Sequence, residues 1–135
     1  MVLLLLAFNS EASIRIQGNE LNCLAQNAYF EANLEGDVGM LLVTNVVFNR
    51  THGGKFCNTI WSPKQFSWTS GKKKKIPVNI LNDIKSNINN FSLHRHLIPK
   101  KFIGATHYHA KSEHPIWAHK LKRIGAYKNH IFYKV

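Results

Sequence analysis

The sequence predicts an α+β fold, mainly helical with a small β-sheet, in one domain. Three observations predict it. The chain has 135 residues, which is room for a single core. Three stretches up to Phe91 carry apolar residues at helical spacing, and the apolar pieces after Ala105 are short and strand-like. No internal repeat, linker or second domain is visible.

Each element follows in chain order. Residues 1–18 read as a signal-like or disordered leader, and residues 19–135 as the folded domain. The apolar run Val2 to Phe8 is too short for a membrane-spanning helix, which needs about 20 residues. It resembles a signal-peptide core followed by the small-residue site Ser10-Glu11-Ala12, although only Met1 precedes it. From Glu20 to Asn33, Leu21, Leu24, Ala28 and Ala32 recur as one helical face. Asn19 suits the N-cap and Glu20 the positive first turn. Gly36 and Gly39 then bend the chain. Met40 to Phe48 is almost continuously apolar and reads as a buried helix ending near Arg50, with a buried strand as the alternative. Gly53-Gly54 breaks the chain. Residues 55–77 look irregular and aromatic-rich, with Phe56, Trp61, Phe66 and Trp68, and with Lys72 to Lys75 at an exposed loop tip. Ile80, Ile84, Ile88 and Phe91 mark one face of a third helix, and Pro99 follows its end. Thr106 to His109 and His130 to Tyr133 are strand candidates, separated by Pro115 and Gly125.

Lys and Arg total 18 against 7 acids, a net charge of +11. A surface that basic needs a polyanionic partner, either nucleic acid or an anionic cell envelope, and charge alone does not choose. Cys23 and Cys57 read as two buried thiols more readily than as a bridge, because nothing in the sequence fixes their separation.

The acids are few, which narrows any acid–base chemistry. Glu11 lies in the leader, Glu20 at a helix start, and Asp83 on the polar side of the third helix. Glu31 differs. It lies seven residues after Leu24, about 700° of helical rotation, and so shares the direction of the apolar stripe. A carboxyl there is desolvated, and its pKa should rise toward that of a general acid working near neutral pH. The plainer reading is a buried structural Glu with a partner.

Tyr29-Phe30-Glu31-Ala32-Asn33-Leu34-Glu35, then Gly39, then Val46-Val47-Phe48-Asn49-Arg50, resembles the start of the SleB-like (spore-cortex-lytic) cell-wall hydrolase domain. That family reads Y-x-E-A-R-G-E, then a glycine and an apolar helix ending in N-R. Gln65-Phe66-Ser67 resembles its Q-F-S motif. Gly104-Ala105-Thr106-His107-Tyr108-His109-Ala110, then Pro115 and Trp117, then Ile124-Gly125 and Asn129-His130-Ile131-Phe132-Tyr133 are similar to its later motifs, in the same order. Asn33 and Leu34 depart from the family's Arg and Gly, and the stretch from Asn90 to Phe102 is unusually basic.

The resemblance implies a lysozyme-like catalytic domain with its acid near a helix end beside a cleft. It implies peptidoglycan glycan strands as substrate, cleaved between N-acetylmuramic acid and N-acetylglucosamine. The implied route is that of a lytic transglycosylase leaving 1,6-anhydro products, with no cofactor and no metal. Glu31 takes the catalytic place. Glu35, Gln65, Phe66, Ser67, Thr106, His107, Tyr108 and His130 take substrate-binding or cleft-support places. The expected setting is secreted, periplasmic or wall-associated, as a phage endolysin or a wall-remodelling enzyme. The expected form is a monomer that holds anionic envelope polymers through its basic surface and binds no specific nucleic acid.

Two rival classes stand beside this reading. His107 and His109 would share a strand face, a spacing that suits metal ligation in a metal-dependent amidase or nuclease, with His119 or His130 nearby. No H-E-x-x-H or Cys/His set completes such a site. The other rival is a non-catalytic cationic envelope-binding module built on Lys72 to Lys75 and the aromatics.

Overall fold

The computed structural model describes residues 15–63, 65–71 and 74–135. The apolar run of the leader, and Lys72 and Lys73 of the lysine run, lie outside these residues. The fold is α+β. Four α-helices, α1 (Gly18–Ala32), α2 (Gly36–Arg50), α3 (Phe56–Trp61) and α4 (Val78–Leu93), precede three strands, β1 (His107–Ala110), β2 (Lys122–Tyr127) and β3 (His130–Lys134).

Helix α1 is the hub and packs against the other three helices. Its stripe of Leu24, Ala25, Ala28 and Ala32 is buried, as the spacing predicts. The helix starts earlier than expected. Gln17 occupies the N-cap place rather than Asn19, and Ile16 already packs on the core. Glu20 does not serve the first turn alone, because its Oε2 accepts a bond from the Cys57 backbone N–H at 2.9 Å.

Helix α2 is buried from Gly39 to Val47 on every side, which settles the helix–strand ambiguity. A helix apolar all round belongs in the middle of a core. Burying side chains such as Val43, Val46 and Val47 stabilises the fold by about 1.5–3 kcal/mol each. Between α1 and α2 the chain makes a 3-10 turn over Asn33–Glu35. Gly36 closes that turn at φ 75, a left-handed conformation that favours glycine. Gly39 has a different reason: a Cβ there would meet the Glu35 Cβ at 2.5 Å.

The expected irregular stretch holds the short helix α3, which six residues of mixed polarity did not announce. Cys57 on α3 is bonded to Cys23 on α1, so the two cysteines are a bridge and not free thiols. The packing of α1 on α3 brings their Cα atoms to 5.4 Å, a proximity no spacing 34 residues apart reveals. A loop of that length, closed in the unfolded chain, stabilises the fold by about 3–4 kcal/mol. In α4, Ile84, Ile88 and Phe91 are buried, but Ile80 lies in the first turn and is 37% exposed.

The sheet is antiparallel in the order β1-β3-β2. The central strand β3 pairs Phe132 with Tyr108 on one side and Gly125 on the other, with a bulge between Arg123 and Gly125. Helix α2 anchors the approach to β1. Asn45 Nδ2 donates to the carbonyls of Phe102 and Ile103, and Asn49 Nδ2 donates to those of Ile103 and Ala105 at 2.8 and 2.7 Å. These amides occupy carbonyls that no strand reaches, and so fix β1 against the helical layer.

Candidate active site

A cleft of about 600 Å³ opens between the end of α1, the loop after α3, and the sheet. Its floor is set by Glu31 and Tyr108. The Tyr108 hydroxyl donates to Glu31 Oε2 at 2.8 Å, across 77 residues of sequence. Burial raises the Glu31 pKa above the ordinary 4.5; the Tyr108 hydrogen bond opposes that rise, and the charge of Glu113 adds to it. Tyr108 itself is pushed well above its ordinary 10.0, first by burial and then by the charge of Glu31. The phenol therefore stays a donor through the whole working range of pH. Phe66, His130 and Phe132 pack around its ring, at 6.4, 5.2 and 5.7 Å between centroids.

Of the residues expected here, Gln65, Phe66, Ser67, His107, Tyr108 and His130 do line the cleft with Glu31. Two do not. Thr106 stands behind the wall, where its hydroxyl contacts His107 Nδ1 at 2.9 Å and accepts the Val135 N–H at 3.2 Å. Glu35 is only 7% exposed and pairs with His130 Nδ1, while Lys128 Nζ donates to its carbonyl at 3.0 Å. The reason is the break at Ala32. Four residues of continuous helix would have stacked Glu35 over Glu31, but the 3-10 turn swings it to His130 of β3 instead.

A model of the cell wall hydrolase family matches residues 34–133. The chain belongs to that family. It is therefore a hydrolase of the bacterial cell wall, whose polymer is peptidoglycan. No curated protein and no solved structure matches the chain. The matched segment begins three residues after Glu31, so the place of Glu31 rests on its geometry.

Sequence reasoning missed several residues that the hydrolase brings to the cleft, among them Arg50, Glu113 and Trp117. Arg50 and Trp117 both stand in motifs that resemble the family pattern, which was the available signal. Glu113 had none. It lies in the turn after β1, where its backbone N–H bonds to the Ala110 carbonyl. Trp117 packs its ring on His107 and His109, at 5.1 and 5.7 Å. His109 has both ring nitrogens engaged, Nδ1 with the Ala110 carbonyl at 2.7 Å and Nε2 with the Tyr133 hydroxyl at 2.8 Å. That arrangement makes His109 part of the wall and leaves it no nitrogen for a metal. Among the described residues no three His, Cys, Asp or Glu side chains stand close enough together to hold a metal ion.

Proposed function

We propose that this hydrolase is a SleB-like, lysozyme-like muramidase acting as a lytic transglycosylase, with Glu31 as its acid. The observation that carries the reading is a single desolvated carboxyl on the cleft floor, held by a permanent donor, while Glu35 is withdrawn into a buried pair. Tyr108 occupies Oε2, so Oε1 is the oxygen left to carry the proton. In the first step that proton passes to the glycosidic oxygen between N-acetylmuramic acid and N-acetylglucosamine, and the C1–O bond breaks. The Glu31 carboxylate, stabilised by the Tyr108 hydroxyl, then takes the proton of the muramic C6 hydroxyl. That oxygen closes on C1 to give the 1,6-anhydro ring. The nucleophile belongs to the substrate and arrives positioned, so no water needs ordering.

The net charge of +11 fits action at an anionic wall, outside the cytoplasmic membrane, by a monomer. One observation favours a second reading. Glu113 also lines the cleft and acts on Glu31, so it is placed to assist a water nucleophile in ordinary hydrolysis. Digestion of purified sacculi in heavy-oxygen water, followed by mass spectrometry, separates the two. Unlabelled 1,6-anhydro fragments are expected. Labelled reducing ends would overturn the transglycosylase reading and make Glu113, not Glu35, the second carboxylate to mutate.

A further inference from the structure

The cleft contains a cation that the proposed chemistry does not use. Arg50 is the last residue of α2, and its half-buried guanidinium lines the cleft. It lies over the Phe66 ring at 5.9 Å. Among the described residues no carboxylate pairs with it, although Glu31 and Glu113 line the same cleft. Burial lowers its pKa, the mark of a cation held out of water at some cost. The end of α2 and the Phe66 face each favour a positive charge. The helix end does so whichever way the side chain turns, and the Phe66 face holds the guanidinium toward the cleft but accepts none of its N–H donors.

The proposed reaction does not use those donors either. Cleavage of a glycosidic bond passes through a cationic sugar, and a neighbouring guanidinium works against that charge. The groups that shift Glu31 are Tyr108 and Glu113, whereas the charge of Arg50 falls on Tyr108 and His107. Burial, and then the charge of Arg50, push the His107 pKa below its ordinary 6.5, so the fixed positive charge of the cleft is the Arg50 fork. A planar guanidinium fork matches a carboxylate through two parallel hydrogen bonds.

We propose that Arg50 forms an anion subsite that binds a carboxylate of the peptidoglycan substrate and so selects muramic-acid-bearing strands over uncharged aminosugar polymers. The proposal rests on the reading that the cleft binds the glycan strand. Peptidoglycan offers this chemistry from two sources: the lactyl carboxylate of a stem-free muramic acid, or a carboxylate of the peptide stem. A polymer of N-acetylglucosamine alone offers none.

The test uses the full chain carrying Glu31→Gln, which binds without turnover, with Arg50 intact or replaced by Gln or Lys. Binding is titrated with three soluble ligands of equal length: stem-bearing strands, strands stripped of stems by an amidase, and chito-oligosaccharide. Arg50→Gln should weaken binding of a carboxylate ligand about ten- to hundredfold, the usual worth of a hydrogen-bonded charge, and leave chito-oligosaccharide unchanged. Arg50→Lys keeps the charge without the fork and should recover part of the loss. Loss on stripped strands assigns the lactyl carboxylate; loss on stem-bearing strands alone assigns the stem. With Glu31 restored, the same replacement should raise KM and leave kcat within a few-fold. Unchanged affinity for both carboxylate ligands, or equal weakening of all three, overturns the subsite alone. Failure of the Arg50-intact chain to bind any of the three ligands overturns the glycan reading as well.

Discussion

Glu31 and Glu35 sit four residues apart and end in opposite environments. Glu31 stands in the last turn of α1, lines the cleft in a largely desolvated position, and accepts a bond from a neutral hydroxyl. Glu35 is buried against the imidazole of His130. The difference teaches that one turn of irregular backbone divides the work between two chemically identical groups. A carboxyl with a neutral donor can gain and lose a proton during a reaction. A carboxyl locked to a buried partner holds parts together instead.

The largest effect should come from Glu31→Gln. Removing the proposed acid should cut turnover on sacculi by about 10²–10⁴-fold, the usual scale of acid–base assistance, with the circular dichroism spectrum unchanged. Near-normal clearing by this variant would erase the distinction between the two residues. Glu35→Ala should behave in the reverse sense. It strands a buried imidazole and should lower unfolding free energy by about 3 kcal/mol in denaturant titration, while the fraction that stays folded keeps its turnover. A Glu35→Ala chain of full stability and no activity would move Glu35 into the chemistry.

The finest comparison is a matter of sign. Folding raises the Glu31 pKa, so the folded chain holds that proton more tightly than the unfolded chain. Its contribution to stability is present below the ordinary value of 4.5 and is lost as pH rises through the higher folded value. Glu31→Gln cannot ionise. It should therefore melt above the wild-type chain at neutral pH and together with it below about pH 4. Equal melting at both would mean that Glu31 pays no desolvation cost.

Much of this was legible in the sequence. Leu24, Ala28 and Ala32 define the inner face of α1, and the same arithmetic turns Glu31 toward the cleft. The apolar run of α2 announces a buried element, and the motif residues from Gln65 to Ser67 and from His107 to Tyr108 do reach one place. The rest depended on contacts between distant segments. Strand β2 was hidden because its bulge at Gly125 interrupts the alternation that marks a strand. The bridge of Cys23 with Cys57 and the pairing of Glu35 with His130 each needed a distance across the fold. Asn49 and Arg50 look equivalent as neighbours, yet one holds a turn and the other lines the cleft.

The bond from Tyr108 to Glu31 joins a strand of the sheet to the end of the first helix. Neither half of the molecule holds the proposed reaction centre by itself. If the sheet lifts from the helices, even briefly and without general unfolding, Glu31 loses its donor and the water-poor setting that raises its pKa. Wall-clearing activity is thus a gauge of whether the sheet is docked on the helices. It should fade on heating before the helices themselves melt.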